Sequence, residues 1–117
     1  MLKLLCGILL TLGMVVGHCA QAASVLFLNP GTPTEAFWMS YSQFMQAAAT
    51  DLGMDLRIQY SDRISENTIG QAREALQGHH RPDYLVFVNE QYIAPEILRL
   101  AKGSGCLLYT SPSPRDS

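Results

Sequence analysis

The sequence predicts an α/β fold: a partial doubly wound parallel sheet in the order β-α-β-α-β-α, with an export signal in front of it. Three observations predict it. Short apolar runs alternate with stretches of helical periodicity, Gly, Pro or Asn closes each run, and the first run after the signal is apolar throughout, as a strand buried on both faces reads. A strand, helix, strand succession asks for right-handed crossovers and for helices on both faces of the sheet.

The chain has 117 residues, of which 48% are hydrophobic and 15% charged. Those averages mix three segments: 1–22, 23–105 and 106–117. The first opens on Met1, Leu2 and Lys3, runs apolar over 4–16 apart from Thr11 and two glycines, and ends in the small residues Ala20 and Ala22 around Gln21. These are the three parts of a signal peptide, and cleavage is expected after Ala22. The apolar run is short for a bilayer span, so contact with the membrane is expected only through the uncleaved signal. Cys19 allows a lipoprotein alternative, but lipoprotein signals resemble Leu-x-(Ala/Gly)-Cys, and His18 fits that pattern poorly.

The three cysteines are Cys6 and Cys19 in the signal and Cys106 in the last segment. Residues 23–105 therefore hold neither a disulfide framework nor a Cys-ligated metal site. The same stretch carries six basic residues (Arg57, Arg63, Arg73, Arg81, Arg99, Lys102) against nine acidic ones, a net charge of −3. No basic patch calls for nucleic acid or anionic lipid.

The elements follow in order. Val25, Leu26, Phe27 and Leu28 form the first strand, closed by Asn29, Pro30 and Gly31. Thr34 can cap the first helix, whose apolar stripe is Phe37, Tyr41, Phe44, Ala48 and Leu52 and whose end is Gly53. Residues 56–60 alternate as a weaker second strand, Ser65 caps the second helix, and Ile69, Ala72 and Leu76 line its inner side up to Gly78. Tyr84, Leu85, Val86, Phe87 and Val88 make the clearest strand and again run into asparagine, at Asn89. Pro95 belongs in the first turn of a third helix with Ile97, Leu98 and Ala101 inward and Gly103 after its end.

A fourth strand should begin just after Gly105, because three strands leave an apolar edge uncovered. Instead residues 106–117 contain Pro112 and Pro114 within three positions, which forbids a central strand. This run resembles a translated reading frame of the transposase adapter used in DNA sequencing libraries. The expectation is that the natural sequence stops near Gly105 and that 106–117 is an artefactual tail.

Ligands of open α/β sheets bind beyond the carboxyl ends of the strands, where strand order reverses. In an order 2-1-3 the flanking strands end in Asn29 and Asn89, whose amides suit a neutral polyhydroxy ligand or else bond their own backbone. Phe37 and Trp38 open the first helix about 100° apart. With Phe37 beginning the core stripe, Trp38 is the ring expected to face the cleft, to stack a sugar face or to serve packing. Glu90 is the carboxylate at a strand end, either accepting hydroxyl protons and binding a cationic group or lying solvated. His79 and His80 sit on the loop at the opposite end and read as a solvated turn. No metal or cofactor is expected, and no catalytic group: the first loop has one glycine, matches no phosphate-binding fingerprint, and puts asparagine where a receiver domain needs carboxylates.

Taken together, Val25-Leu26-Phe27-Leu28-Asn29-Pro30, Phe37-Trp38, Phe44-Met45, Ala47-Ala48-Ala49, Leu52-Gly53 and Pro82-Asp83-Tyr84-Leu85-Val86-Phe87-Val88-Asn89 resemble the first lobe of type I periplasmic sugar-binding proteins, the receptors of ABC importers. The resemblance spans 25–105. It implies the first of two lobes that close on a sugar-like ligand in the periplasm, with Asn29, Phe37, Trp38, Asn89 and Glu90 as this lobe's contacts and no catalysis. The implied partner is an ABC permease or, in some relatives, the periplasmic domain of a sensor kinase. The loop departs from the short Asn-Pro-aromatic-aromatic form by inserting 31–36. Two other readings are a ligand-sensing module joined to a membrane sensor and a secreted flavodoxin-like enzyme with Thr32, Pro33 and Thr34 as a phosphate cradle.

Overall fold

The computed structural model describes residues 20–111. The export signal therefore lies outside the described residues except for 20–22, which are exposed and carry no regular structure. Eight elements follow: β1 (Ser24–Asn29), α1 (Ala36–Leu52), β2 (Asp55–Tyr60), α2 (Ser65–Gln77), β3 (Tyr84–Val88), a 3-10 turn (Glu90–Tyr92), α3 (Ala94–Ala101) and β4 (Leu107–Ser111). The strands form one parallel sheet in the order β2-β1-β3-β4. Among the described residues no helix is long and apolar enough to cross a membrane.

β1 sits in the middle because it can be buried on both faces, and residues 25–29 all are. Alternate side chains along it serve opposite layers. Leu26 and Leu28 join Leu85 and Phe87 of β3 under Ala72 and Leu76 of α2 and Ile97 and Ala101 of α3. Phe27 faces the other way, with its ring 5.5 Å from that of Tyr41 on α1. Each fully buried Leu, Ile or Phe contributes about 1.5–3 kcal/mol of apolar burial. At the opposite end of the sheet, Ser24 and Asp83 tie the starts of β1 and β3 together, the Ser24 backbone N–H donating to Asp83 Oδ2 at 2.8 Å.

Three expectations need correction. The fold does not stop at Gly105: β4 pairs in register with β3 from Tyr84↔Leu107 to Val88↔Ser111. Pro112 and Pro114 follow the last paired residue, and β4 has a neighbour on one side, so the rule against a proline in a central strand does not reach it.

The inward stripe of α1 is also turned in part: Tyr41 and Ala48 are half-buried as the pattern predicts, Tyr41 against Phe27, but the other three positions are not. Trp38, Ser42 and Ala49 are its buried residues, while Phe37, Phe44 and Leu52 are 66%, 71% and 71% exposed. Two adjacent rows of this helix are apolar, so periodicity alone does not fix its rotation. What fixes it is polar: the buried Asn29 needs partners, and Ser42 and the Trp38 carbonyl provide them. On α3, similarly, Ile97 and Ala101 are buried with Ile93 while Leu98 is exposed.

The caps differ as well. Glu35 and Ile64 occupy the N-cap positions of α1 and α2 without a side-chain capping bond, Thr34 sits beside Thr32, and Ser65 is already helical. Gly53 closes α1 in the left-handed region at φ 65°, donating its N–H to the Thr50 carbonyl at 3.2 Å, a conformation that glycine adopts without steric cost.

Among the described residues α1 is the one helix on its side of the sheet. Val86 and Tyr109 share that face with Phe27 by register, and Leu107 lies one pleat away beside Tyr84. Leu107 and Tyr109 are exposed, so the α1-side surface of β4 carries no covering layer among the described residues.

Candidate functional site

At the carboxyl ends of the strands, the chain leaves β1 toward α1 on one face and leaves β3 toward α3 on the other. This divergence between neighbouring strands opens a crevice. The loops after β1, β2 and β3 meet at its rim.

The first two loops are joined by their backbones. Ser61 donates its N–H to Asn29 at 3.0 Å, Asp62 to Gly31 at 3.0 Å and Arg63 to Pro30 at 2.8 Å. To aim these amides the chain puts Asp62 and Arg63 in the left-handed region, at φ 55° and 63°, and the loop after β3 does the same with Gln91 and Tyr92, at φ 59° and 57°. Such conformations cost a non-glycine residue about 1–3 kcal/mol and cluster at functional sites. Every positive-φ residue other than glycine among the described residues lies at this rim.

Arg63 links all three loops. Its Nη2 donates to Glu35 Oε2 at 2.8 Å, its Nε to both Glu35 oxygens at 3.2 Å, and its Nη1 to Glu90 Oε1 at 2.7 Å. The guanidinium carbon lies 5.6 Å from the centroid of the Trp38 ring, a cation over an aromatic face. The hydrogen bond to Glu35 foremost, opposed by burial and helped by the charge of Glu90, raises the Arg63 pKa above its ordinary value. With these side chains a third to a half exposed, the ion pairs contribute about 0–1 kcal/mol each. Their value is positional: one planar fork fixes two carboxylates and rests on a ring.

The predicted residues divide into two groups. Asn29 is fully buried, and its Nδ2 donates to Ser42 Oγ at 2.8 Å and to the Trp38 carbonyl at 3.1 Å, while its Oδ1 accepts from the Gly31 N–H at 2.9 Å. Both of its donors are taken. Tyr60 adds its hydroxyl to Ser42 at 3.0 Å, so one network joins β1, α1 and β2 beneath the rim.

Trp38, expected to face the cleft, is instead 8% exposed, and Phe37, expected in the core, is the open ring, standing edge-on to Trp38 at 4.9 Å. The indole lies so close to Gly31 that any Cβ there would overlap it. Its Nε1–H is buried with no acceptor among the described residues.

Asn89 accepts the Ala94 N–H at 3.0 Å on Oδ1 and so caps α3, while its Nδ2 has no partner among the described residues. Glu90 is paired with Arg63 rather than free. His79 and His80 are exposed in the turn between α2 and β3, at the opposite end.

Two rim residues escape the sequence pattern: Glu35 and Arg63. A usable signal exists, because Arg63 is the one basic residue in the three loops (29–35, 61–64 and 89–93), against Glu35, Asp62 and Glu90, a net charge of −2.

Beneath the Arg63–Glu90 pair a cavity of about 10 Å³ opens between Pro30, Ser61, Thr68 and Ile93. That is room for about one water. A larger hollow of about 190 Å³ lies under α2 along β2, lined by Arg57, Gln59, Gln71 and Glu74. It holds none of the rings or strained loops of the rim, and we place the site at the rim.

Solved structures share this fold. The chain is similar to a periplasmic sugar-binding protein from Pseudomonas fluorescens, at 62% identity and a TM-score of 0.74, over 80% of this chain and 29% of that one. It also shares the fold of an ABC sugar transporter subunit from Rhodobacter sphaeroides 2.4.1, at a TM-score of 0.60 and 16% identity, over 77% of this chain and 32% of that one. The chain thus spans less than a third of the length of either solved structure. No protein-family model and no curated protein matches it.

Proposed function

We propose that this chain, the N-terminal part of the first lobe of a type I periplasmic sugar-binding protein, supplies one wall of a ligand site that a second lobe completes. The whole protein is exported to the periplasm, captures a sugar or a similar small polar solute there without chemically changing it, and delivers it to an ABC permease. The observation that carries this reading is the 62% identity to a periplasmic sugar-binding protein, over a segment whose strand-end loops are strained and joined at one rim.

On this lobe Phe37 offers an open aromatic face, Asn89 a free amide donor, and Glu90 with Glu35 and Arg63 a fixed set of polar atoms. Asn29 and Trp38 hold that surface from behind. This arrangement suits a ring with one apolar face and a rim of hydroxyls. Residues 1–22 act as the cleaved export signal. Residues 106–117 derive from adapter sequence, and the intact gene places a different strand at the position of β4.

The test is recovery of the uninterrupted gene with its neighbours. The expected result is a reading frame that departs from this sequence after Gly105 and continues into a hinge and a second α/β lobe, beside permease and ATPase genes. A neighbouring sensor kinase gene in place of the permease would turn import into signalling. A frame with no second lobe would overturn the reading.

A further inference from the structure

The rim contains one cation, and that cation is already spoken for. All three guanidinium nitrogens of Arg63 donate to carboxylates, Nε and Nη2 to Glu35 and Nη1 to Glu90, and one face of the group is turned to Trp38. Asp62 adds a further negative charge beside it. The rim therefore offers an excess of fixed acceptors and no free positive charge.

We propose that Glu35, Arg63 and Glu90 act together as a charge filter, so that the site takes an uncharged or amino-bearing sugar and rejects its acidic counterparts, uronates and sugar phosphates. This rests on the sugar-binding reading above and names the ligand class of the same site.

A hydroxyl or ammonium group donates to a carboxylate lone pair that Arg63 leaves unused, since each carboxylate has about four acceptor sites and the fork fills only some of them. A ligand carboxylate or phosphate has nothing to donate there. It meets two like charges instead of a partner, in a crevice where closure removes the water that would screen them. To capture an anion Arg63 would have to leave Glu35 or Glu90, which strips those groups of their neutralising partner as the site dries. Discrimination thus has an attractive part, the donor hydroxyl, and a repulsive one, the surplus acid.

Phe37 stays outside this filter. A stacked ring face does not distinguish a hexose from its uronate.

The experiment uses the intact two-lobe protein and calorimetric titration with named probes: ribose, xylose, arabinose, glucose and galactose, then the 2-amino and uronic acid counterparts of glucose and galactose. A neutral or amino sugar should bind, and the matching uronate should bind at least roughly tenfold more weakly at low ionic strength. Glu90→Gln and Glu35→Gln should narrow that ratio, while circular dichroism and melting temperature stay close to those of the parent.

A uronate that binds as tightly as its neutral parent overturns the filter and leaves sugar binding intact. So does a ratio that neither Glu35→Gln nor Glu90→Gln moves. A folded protein that binds no saccharide of any class overturns the sugar-binding reading and the filter with it.

Discussion

The buried amide of Asn29, at the end of β1, donates to the hydroxyl of Ser42, thirteen residues further along, at 2.8 Å. This bond decides which face of α1 turns inward. It also explains how a helix with two apolar rows settles on the one that contains a serine.

Asn29→Leu keeps the volume and removes the bonds of the side-chain amide, stranding the Gly31 N–H in a dry environment and leaving Ser42 with its bond from Tyr60 alone. Each stranded group costs about 1–3 kcal/mol. Denaturant unfolding of the intact protein should show a loss of about 2–3 kcal/mol. An unchanged midpoint would mean that the amide faces a ligand rather than the fold.

Gly31→Ala should destabilise for a different reason. The backbone there is ordinary, but the new methyl would sit 2.7 Å from Cβ of Trp38 and overlap its ring. A rigid indole cannot swing aside as a flexible chain would, and overpacking of this kind costs about 1–3 kcal/mol. Thermal melting with tryptophan fluorescence checks both parts, since displacement of the single tryptophan should shift its emission.

Phe37 and Trp38 should separate binding from stability. Trp38→Ala empties a packed site and is expected to lower stability by about 3–5 kcal/mol. Phe37→Ala removes an exposed ring, so melting should barely move, while ligand affinity should fall roughly threefold to tenfold through lost stacking. Paired melting and titration on the two variants measure this, and the reverse pattern would restore the assignment read from the sequence.

Much of the fold is legible in the amino-acid pattern. Every residue of β3 is aromatic, β-branched or leucine, and the limits of this strand are those the pattern predicts. The Gly53 stop of α1 and the Pro95 start of α3 are equally local, because each depends on one residue's backbone preferences. The rotation of α1 is not local. It depends on which buried amide the helix must serve, and no hydrophobic periodicity records that. Arg63 escapes the pattern for a related reason: its partners lie twenty-eight positions before it and twenty-seven after it, and only the meeting of three loops makes them neighbours. The tail misleads in the other direction, since Pro112 and Pro114 speak for their own positions and not for Leu107–Ser111 ahead of them.

The segment 23–105 purified by itself should neither melt cooperatively nor bind a sugar, because one wall of the site and part of the sheet are absent. Saturable titration with any of the sugar probes would contradict this.

The α1-side surface of β4, where Leu107 and Tyr109 stand open among the described residues, has a kinetic meaning as well as a thermodynamic one. Covering it from within one molecule is a first-order event that proceeds at the same rate at any dilution. Covering it with a second molecule is second order and gains with every increase in concentration. For a chain of this length the outcome in a test tube is therefore a race whose winner is set by the protein concentration, and refolding yield should rise as the solution is made more dilute.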